Sequence, residues 1–229
     1  MKSWCLTIIL LFSSMLMLAY PSDNATLFDW KNDISETTSP DTSRFVDKRD
    51  GSTYKTIKIG NKVWMSENLR YSKDIPLGST KSNKPCIYFP NGKEENVAVY
   101  GYLYNWYAAE KACPEGWHLP TNSEWKQLKN DVGGNDVGAQ LATKADLWND
   151  GSLERSLAFG KSGFNALPAG SFDGKKYGNF ASFAYFWAAT GYEYYDGNAY
   201  YRYIYYNYGG VVSNYSSKSD GFSVRCVKD

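Results

Sequence analysis

The chain has 229 residues and a formal net charge of +1, with 25 Lys and Arg set against 24 Asp and Glu. With charges so balanced and no basic block, nucleic acid is not an expected partner. One histidine in the whole chain excludes a multi-histidine metal centre and leaves a histidine-based triad without support. Aromatic residues make up 17% of the chain, with 20 Tyr and 8 Trp. Such a chain can bury large rings and also display some, and tyrosine suits a wet recognition surface because its hydroxyl still reaches water.

At the start, Lys2 precedes an apolar run from Trp4 to Leu18. That run is short for a membrane span, which needs roughly 20 residues. It fits the core of a secretory signal peptide over residues 1–19, with retention as a short uncleaved anchor as the alternative. Cys5 lies at the beginning of the run, where it cannot serve as a lipoprotein cysteine. The expected location is secreted or in the cell envelope, with no stable membrane span. Residues 20–45 are rich in Ser, Thr, Asp and Pro and read as a flexible spacer. Residues 46–229 are then enough for one domain with its own core.

Tyr54 to Met65 predicts a β-hairpin, with β-branched and aromatic residues on either side of Gly60-Asn61. Residues 72–97 carry Pro76, Gly78, Pro85, Pro90 and Gly92 and read as loop. A first helix is expected over 101–112, ended by Cys113-Pro114. A second starts at Thr121 with a capping box closed by Glu124 and runs through Trp125, Leu128 and Val132 to Gly133-Gly134. Beyond residue 160 the pattern turns to strands. Tyr200–Tyr208 and Val211–Tyr215 flank Gly209-Gly210, which predicts a tight turn there. Phe222, Val224 and Cys226 alternate with Ser223, Arg225 and Val227, so a strand would send the first three toward the core. Strands, two helices, then strands again argue an α+β fold, with helices packed on a mainly antiparallel twisted sheet and long loops.

Several segments carry a resemblance. They include Val63-Trp64-Met65-Ser66-Glu67-Asn68-Leu69, Tyr100-Gly101-Tyr102-Leu103-Tyr104, Gly116-Trp117-His118-Leu119-Pro120-Thr121, Ala166-Leu167-Pro168-Ala169-Gly170 and the closing Gly221-Phe222-Ser223-Val224-Arg225-Cys226. In this order, from about Phe45 to the last residue, they resemble the Fibrobacter succinogenes major paralogous domain family. That family is similar to the C-type lectin-like fold and, more loosely, to the formylglycine-generating enzyme group. The resemblance implies an exported bacterial domain and implies no particular activity. It also implies a disulfide between Cys113, at the end of the first helix, and Cys226, in the final strand. Many relatives carry a second cysteine where this chain has Val97, so Cys86 is expected to be free.

The candidate sites differ in weight. His118, in a segment leading into a helix cap, reads as a packed, hydrogen-bonded residue. Trp148-Asn149-Asp150 resembles the calcium tripeptide of C-type lectins. It stands far upstream of Cys226 and lacks its companion motif, so it reads as a chance match, and no metal or cofactor is expected. The chain offers no reactive cysteine pair of the formylglycine-generating kind, no paired carboxylates that stand out and no phosphate-binding glycine loop, so it is not expected to be an enzyme.

The tyrosine tract is the strongest candidate. Eleven tyrosines lie between Tyr185 and Tyr215, among Asn, Ser, Asp and Gly. If Ile204 is buried, Tyr201, Tyr203 and Tyr205 form the exposed row, with Arg202 at the sheet edge and Tyr194 and Tyr195 nearby. Such a row resembles the composition of antibody binding loops. It suits a polysaccharide or a surface protein as partner. The competing reading is a β-surface in which Tyr–Tyr pairs stabilise the sheet.

Overall fold

The computed structural model describes residues 42–229. The expected signal peptide and most of the expected spacer lie outside these residues. The last residues of that spacer are ordered. β1 (Thr42–Val46) pairs antiparallel with β2 (Thr53–Ile59), and Phe45 packs on Trp117 with ring centroids 5.0 Å apart. Residues 42–45 of the expected spacer thus belong to the fold, because Phe45 gives this polar stretch one ring to bury.

The predicted hairpin forms between β2 and β3 (Lys62–Met65), turning at Gly60 with φ of 59°. β6 (Trp117–His118) and the last strand, β12 (Val227–Lys228), complete a five-stranded sheet in the order β1-β2-β3-β12-β6. A second sheet has three long antiparallel strands: β9 (Phe183–Gly191), β10 (Asn198–Tyr205) and β11 (Tyr208–Ser217), with β10 in the middle. Two short ribbons, β4–β5 (Ile87–Tyr88 with Leu103–Tyr104) and β7–β8 (Ser171–Phe172 with Tyr177–Gly178), complete the strands among the described residues. The architecture is α+β, with mixed helices and antiparallel sheets.

The helices differ from the sequence reading in where the first one starts and in two short additions. The first expected helix starts later than residue 101: a short α1 (Val97–Tyr100) ends at Gly101, β5 takes Leu103–Tyr104, and α2 (Trp106–Ala112) starts on the Asn105 cap, whose side chain accepts from the Ala108 N–H. Asn105 is completely buried and also accepts from the Cys86 N–H, so the cap is tied to β4. α3 (Asn122–Val132) has the predicted Thr121–Glu124 capping box and ends at Gly133 with φ of 66°. A short α4 (Val137–Leu141) follows and packs on β11.

That packing explains a second difference. The hairpin between β10 and β11 turns at Tyr206-Asn207, and Gly209-Gly210 lie inside β11. A Cβ at Gly138 would overlap the Gly210 carbonyl, so the glycines serve the close approach of α4 to the strand.

Two cores lie on the two sides of β9. Ala184, Phe186 and Ala188 join Trp64, Trp125, Leu128, Leu141 and Ile204 in one. Tyr185 and Trp187 join Tyr104, Trp106, Leu119, Phe222 and Cys226 in the other. The segment Gly221–Val227 runs between elements with every residue buried, so the expected two-faced strand has no solvent face. Cys226 is fully buried, as expected, and is bonded to Cys113 with Cα atoms 5.8 Å apart. Cys86 is free and buried, with its thiol against the Tyr88 hydroxyl at 3.0 Å.

Candidate functional site: two faces of the tyrosine sheet

Residues opposite each other on antiparallel strands share a face, and alternate residues change face. Tyr201, Tyr203 and Tyr205 therefore lie on one face of the sheet, and Tyr200, Arg202 and Ile204 on the other. Ile204 is buried, as the sequence reading required. The row Tyr201–Tyr203–Tyr205 is half-buried rather than fully exposed. The cause is the aromatic layer beside and beneath it. Phe183 stacks on Tyr205 at 4.5 Å, Tyr185 meets Tyr201 at 5.7 Å, and Phe222 lies 4.8 Å from Tyr201. The rings thus form a continuous aromatic platform anchored in the core.

A pocket of about 180 Å³ opens at one end of this platform, walled by Phe172, Tyr185, Tyr201 and Phe222, with Ser171 and Ser216. Asp220 also lines it and is 8% exposed. The Ser216 hydroxyl donates to Asp220 Oδ2 at 2.6 Å. Asp220 Oδ1 is buried without a hydrogen-bond partner, and the nearest cation, Lys81 Nζ, stands 3.5 Å away. A carboxylate oxygen left short of donors beside aromatic rings is a ready acceptor for a hydroxyl. Composition pointed to the tyrosines, but nothing local in the sequence marked Asp220.

Arg202 requires a correction. It lies on the central strand, not at the sheet edge, and it faces away from the Tyr201 row. Its guanidinium is buried and donates to Asn122 Oδ1 at 3.0 Å and to the Tyr201 carbonyl at 3.1 Å. Burial lowers its pKa. Tyr194 and Tyr195, in the loop between β9 and β10, are 81% and 64% exposed. Tyr194 joins Tyr192, Tyr200 and Tyr215, and Tyr192 stacks on Tyr215 at 3.9 Å. The six candidate residues are thus divided between two faces and one loop.

The remaining candidates have structural partners. His118 holds both ring nitrogens against carboxylates, Nε2 at 2.8 Å from Glu124 Oε1 and Nδ1 at 2.5 Å from Asp229 Oδ1. Trp148 is buried and donates to the Thr143 carbonyl, Asn149 donates to the Ser182 hydroxyl, and Asp150 pairs with Arg155. Among the described residues no group of three or more His, Cys, Asp or Glu is placed to hold a metal, and no helix is long and apolar enough to cross a membrane.

Fold and site together define an α+β domain whose second sheet carries an aromatic platform on one face and the buried Arg202 and Ile204 on the other. No curated protein and no solved structure matches the chain. Its sequence matches the Fibrobacter succinogenes major domain over residues 57–228, three quarters of its length, and the chain belongs to that family.

Proposed function

We propose that this is an exported, non-enzymatic binding module that holds a neutral polysaccharide on the platform of Tyr201, Tyr203 and Tyr205. The observation that carries the reading is the unsatisfied Asp220 Oδ1 at the end of an aromatic row. Sugar rings present an apolar face to stack on tyrosine and hydroxyls to donate to a carboxylate. Among the described residues only Lys81 Nζ, at 3.5 Å, faces that oxygen, and a ligand hydroxyl would add the hydrogen bond it lacks. The tyrosines are held in place by Phe183, Tyr185 and Phe222, so little side-chain freedom is lost on binding. The Cys113–Cys226 bridge supports export, because disulfides persist in oxidising compartments. A helix end bridged to the closing segment of the chain, beside a long-stranded second sheet, supports a C-type lectin-like arrangement.

The full chain and its Tyr201→Ala, Tyr203→Ala, Tyr205→Ala and Asp220→Asn variants are compared by affinity electrophoresis in gels containing neutral cell-wall polysaccharides. Loss of a stacking tyrosine is expected to weaken binding by about 2 kcal/mol. Asp220→Asn is expected to reduce retention at unchanged melting temperature. If the tyrosine variants melt much lower while retention per folded molecule is unchanged, the row is structural. The contact of Tyr201 with Phe222 in the core favours that second reading, in which the chain is a structural or interaction protein of the cell envelope.

A further inference from the structure

We infer that the groove on the opposite face of the tyrosine sheet is a separate site for a carboxylate-bearing glycan, with Arg202 as its anchor. The groove has a volume of about 430 Å³ and runs between α3 and strands β10 and β11. Its floor is Trp125 and Val211, and its polar lining is Asn122, Ser123 and Ser213. Every charge that lines it is positive: Arg202, Lys126 and Lys129. None of these three forms a salt bridge among the described residues.

Arg202 is the decisive residue. It is 8% exposed, and its side chain has two hydrogen-bond acceptors, the Asn122 amide oxygen and the Tyr201 carbonyl. A guanidinium presents five N–H donors in a fixed fork. A buried cation without an anion is expensive to keep, and a carboxylate matches the fork bidentately. By contrast, the half-buried Arg49 pairs with the buried Asp47. Arg225, fully buried, is surrounded by oxygens.

Helical spacing adds the rest. Asn122, Lys126 and Lys129 follow one another at i, i+4 and i+7, so α3 presents one amide and two ammonium groups along the same wall. Both lysines are exposed and free to move toward an anion. The next residues outward on the same face, two positions from Arg202 and Ser213, are the cross-strand pair Tyr200 and Tyr215. They lie about 7 Å farther along the strands and carry the Tyr192 and Tyr194 rings beside them. The carboxylate at that end, Glu193, accepts from the Tyr200 hydroxyl. An aromatic cluster next to a cationic groove with three hydroxyl or amide groups suits a uronic-acid polymer. The acid group would be held by Arg202 and the lysines, and a neighbouring ring by the tyrosines.

Binding of the full chain to a short oligogalacturonate is measured by titration calorimetry, against an uncharged oligosaccharide of the same length and an acidic peptide of the same charge. The expected result is binding of the oligogalacturonate alone, weakened by added salt. The double variant Lys126→Glu, Lys129→Glu changes exposed side chains and is expected to fold normally. It should lose affinity by about tenfold or more, equivalent to about 1.4 kcal/mol. Arg202→Gln should abolish binding. If that variant fails to fold, the lysine variant alone decides. Tyr203→Ala, on the other face, should leave oligogalacturonate binding unchanged while it lowers retention by neutral polysaccharide, so failure of either site is distinguishable. Equal binding of the acidic peptide, or undiminished binding by the lysine variant, would overturn the assignment.

Discussion

Arg225 Nε donates to Asn68 Oδ1 over 2.7 Å, across 157 residues of chain. The same guanidinium donates to the carbonyls of Met65, Phe164 and Asn165. Its plane lies over the Phe164 ring, with 4.5 Å to the centroid. Asn68 in turn donates to the Tyr100 carbonyl at 2.7 Å. One fully buried cation therefore joins the turn after β3, the Phe164–Asn165 loop and the closing segment. Burial pulls its pKa down to about 9, so it remains charged at neutral pH.

Replacing Arg225 is expected to be severe. Arg225→Met leaves three carbonyls and an amide oxygen without donors, at a cost of about 1–3 kcal/mol each. Arg225→Lys keeps the charge but cannot reproduce the planar fork. Both variants should unfold at much lower urea concentration. A lysine variant as stable as wild type would show that charge, rather than geometry, is what holds the segments.

The Cys113–Cys226 bridge closes most of the domain into one loop. In the chain-entropy model, a loop of that size accounts for roughly 4–5 kcal/mol of stability. The double variant Cys113→Ala, Cys226→Ala should lose an amount of that order in urea denaturation. The loss should match that of wild type in reductant. Peptide mapping of the oxidised chain should recover Cys86 as a free thiol, and a peptide linking it to either partner would contradict the bridge.

Glu124 sets an acid limit on stability. Burial raises its pKa, but donation by the Thr121 N–H, by His118 and by Lys62 outweighs burial and brings it down to about 2. A carboxylate whose pKa is lower in the folded chain stabilises the fold above its unfolded value, near 4.3. That contribution is lost as pH falls from there toward 2. Wild type should lose melting temperature across this window, and Glu124→Gln should show a shallower decline. Equal slopes for the two would remove Glu124 from the acid transition.

Some of this was legible residue by residue. Gly60-Asn61 marks the first hairpin, and Thr121 with Glu124 marks the start of α3, because turns and caps are made by neighbours in sequence. Ile204 fixes the register of β10, because a buried aliphatic residue determines which alternate set faces outward. The free Cys86 and the Cys113–Cys226 pair followed from the family resemblance.

The rest depended on contacts between distant segments. Gly209-Gly210 has the composition of a turn, yet α4 approaches β11 there, and the turn moves to Tyr206-Asn207. The half-burial of Tyr201 follows from Phe222 arriving beside it, and Arg202 loses its edge position because β9 pairs on its other side. Arg202 becomes a candidate anchor only because no carboxylate among the described residues reaches it, and Asp220 only because Phe172, Tyr185 and Phe222 build a pocket beside it. The sequence by itself determined which side chains could cap and turn, since those interactions are local. Only the tertiary structure decided which charges were buried and what lay against them, since desolvation is set by the whole fold around a group.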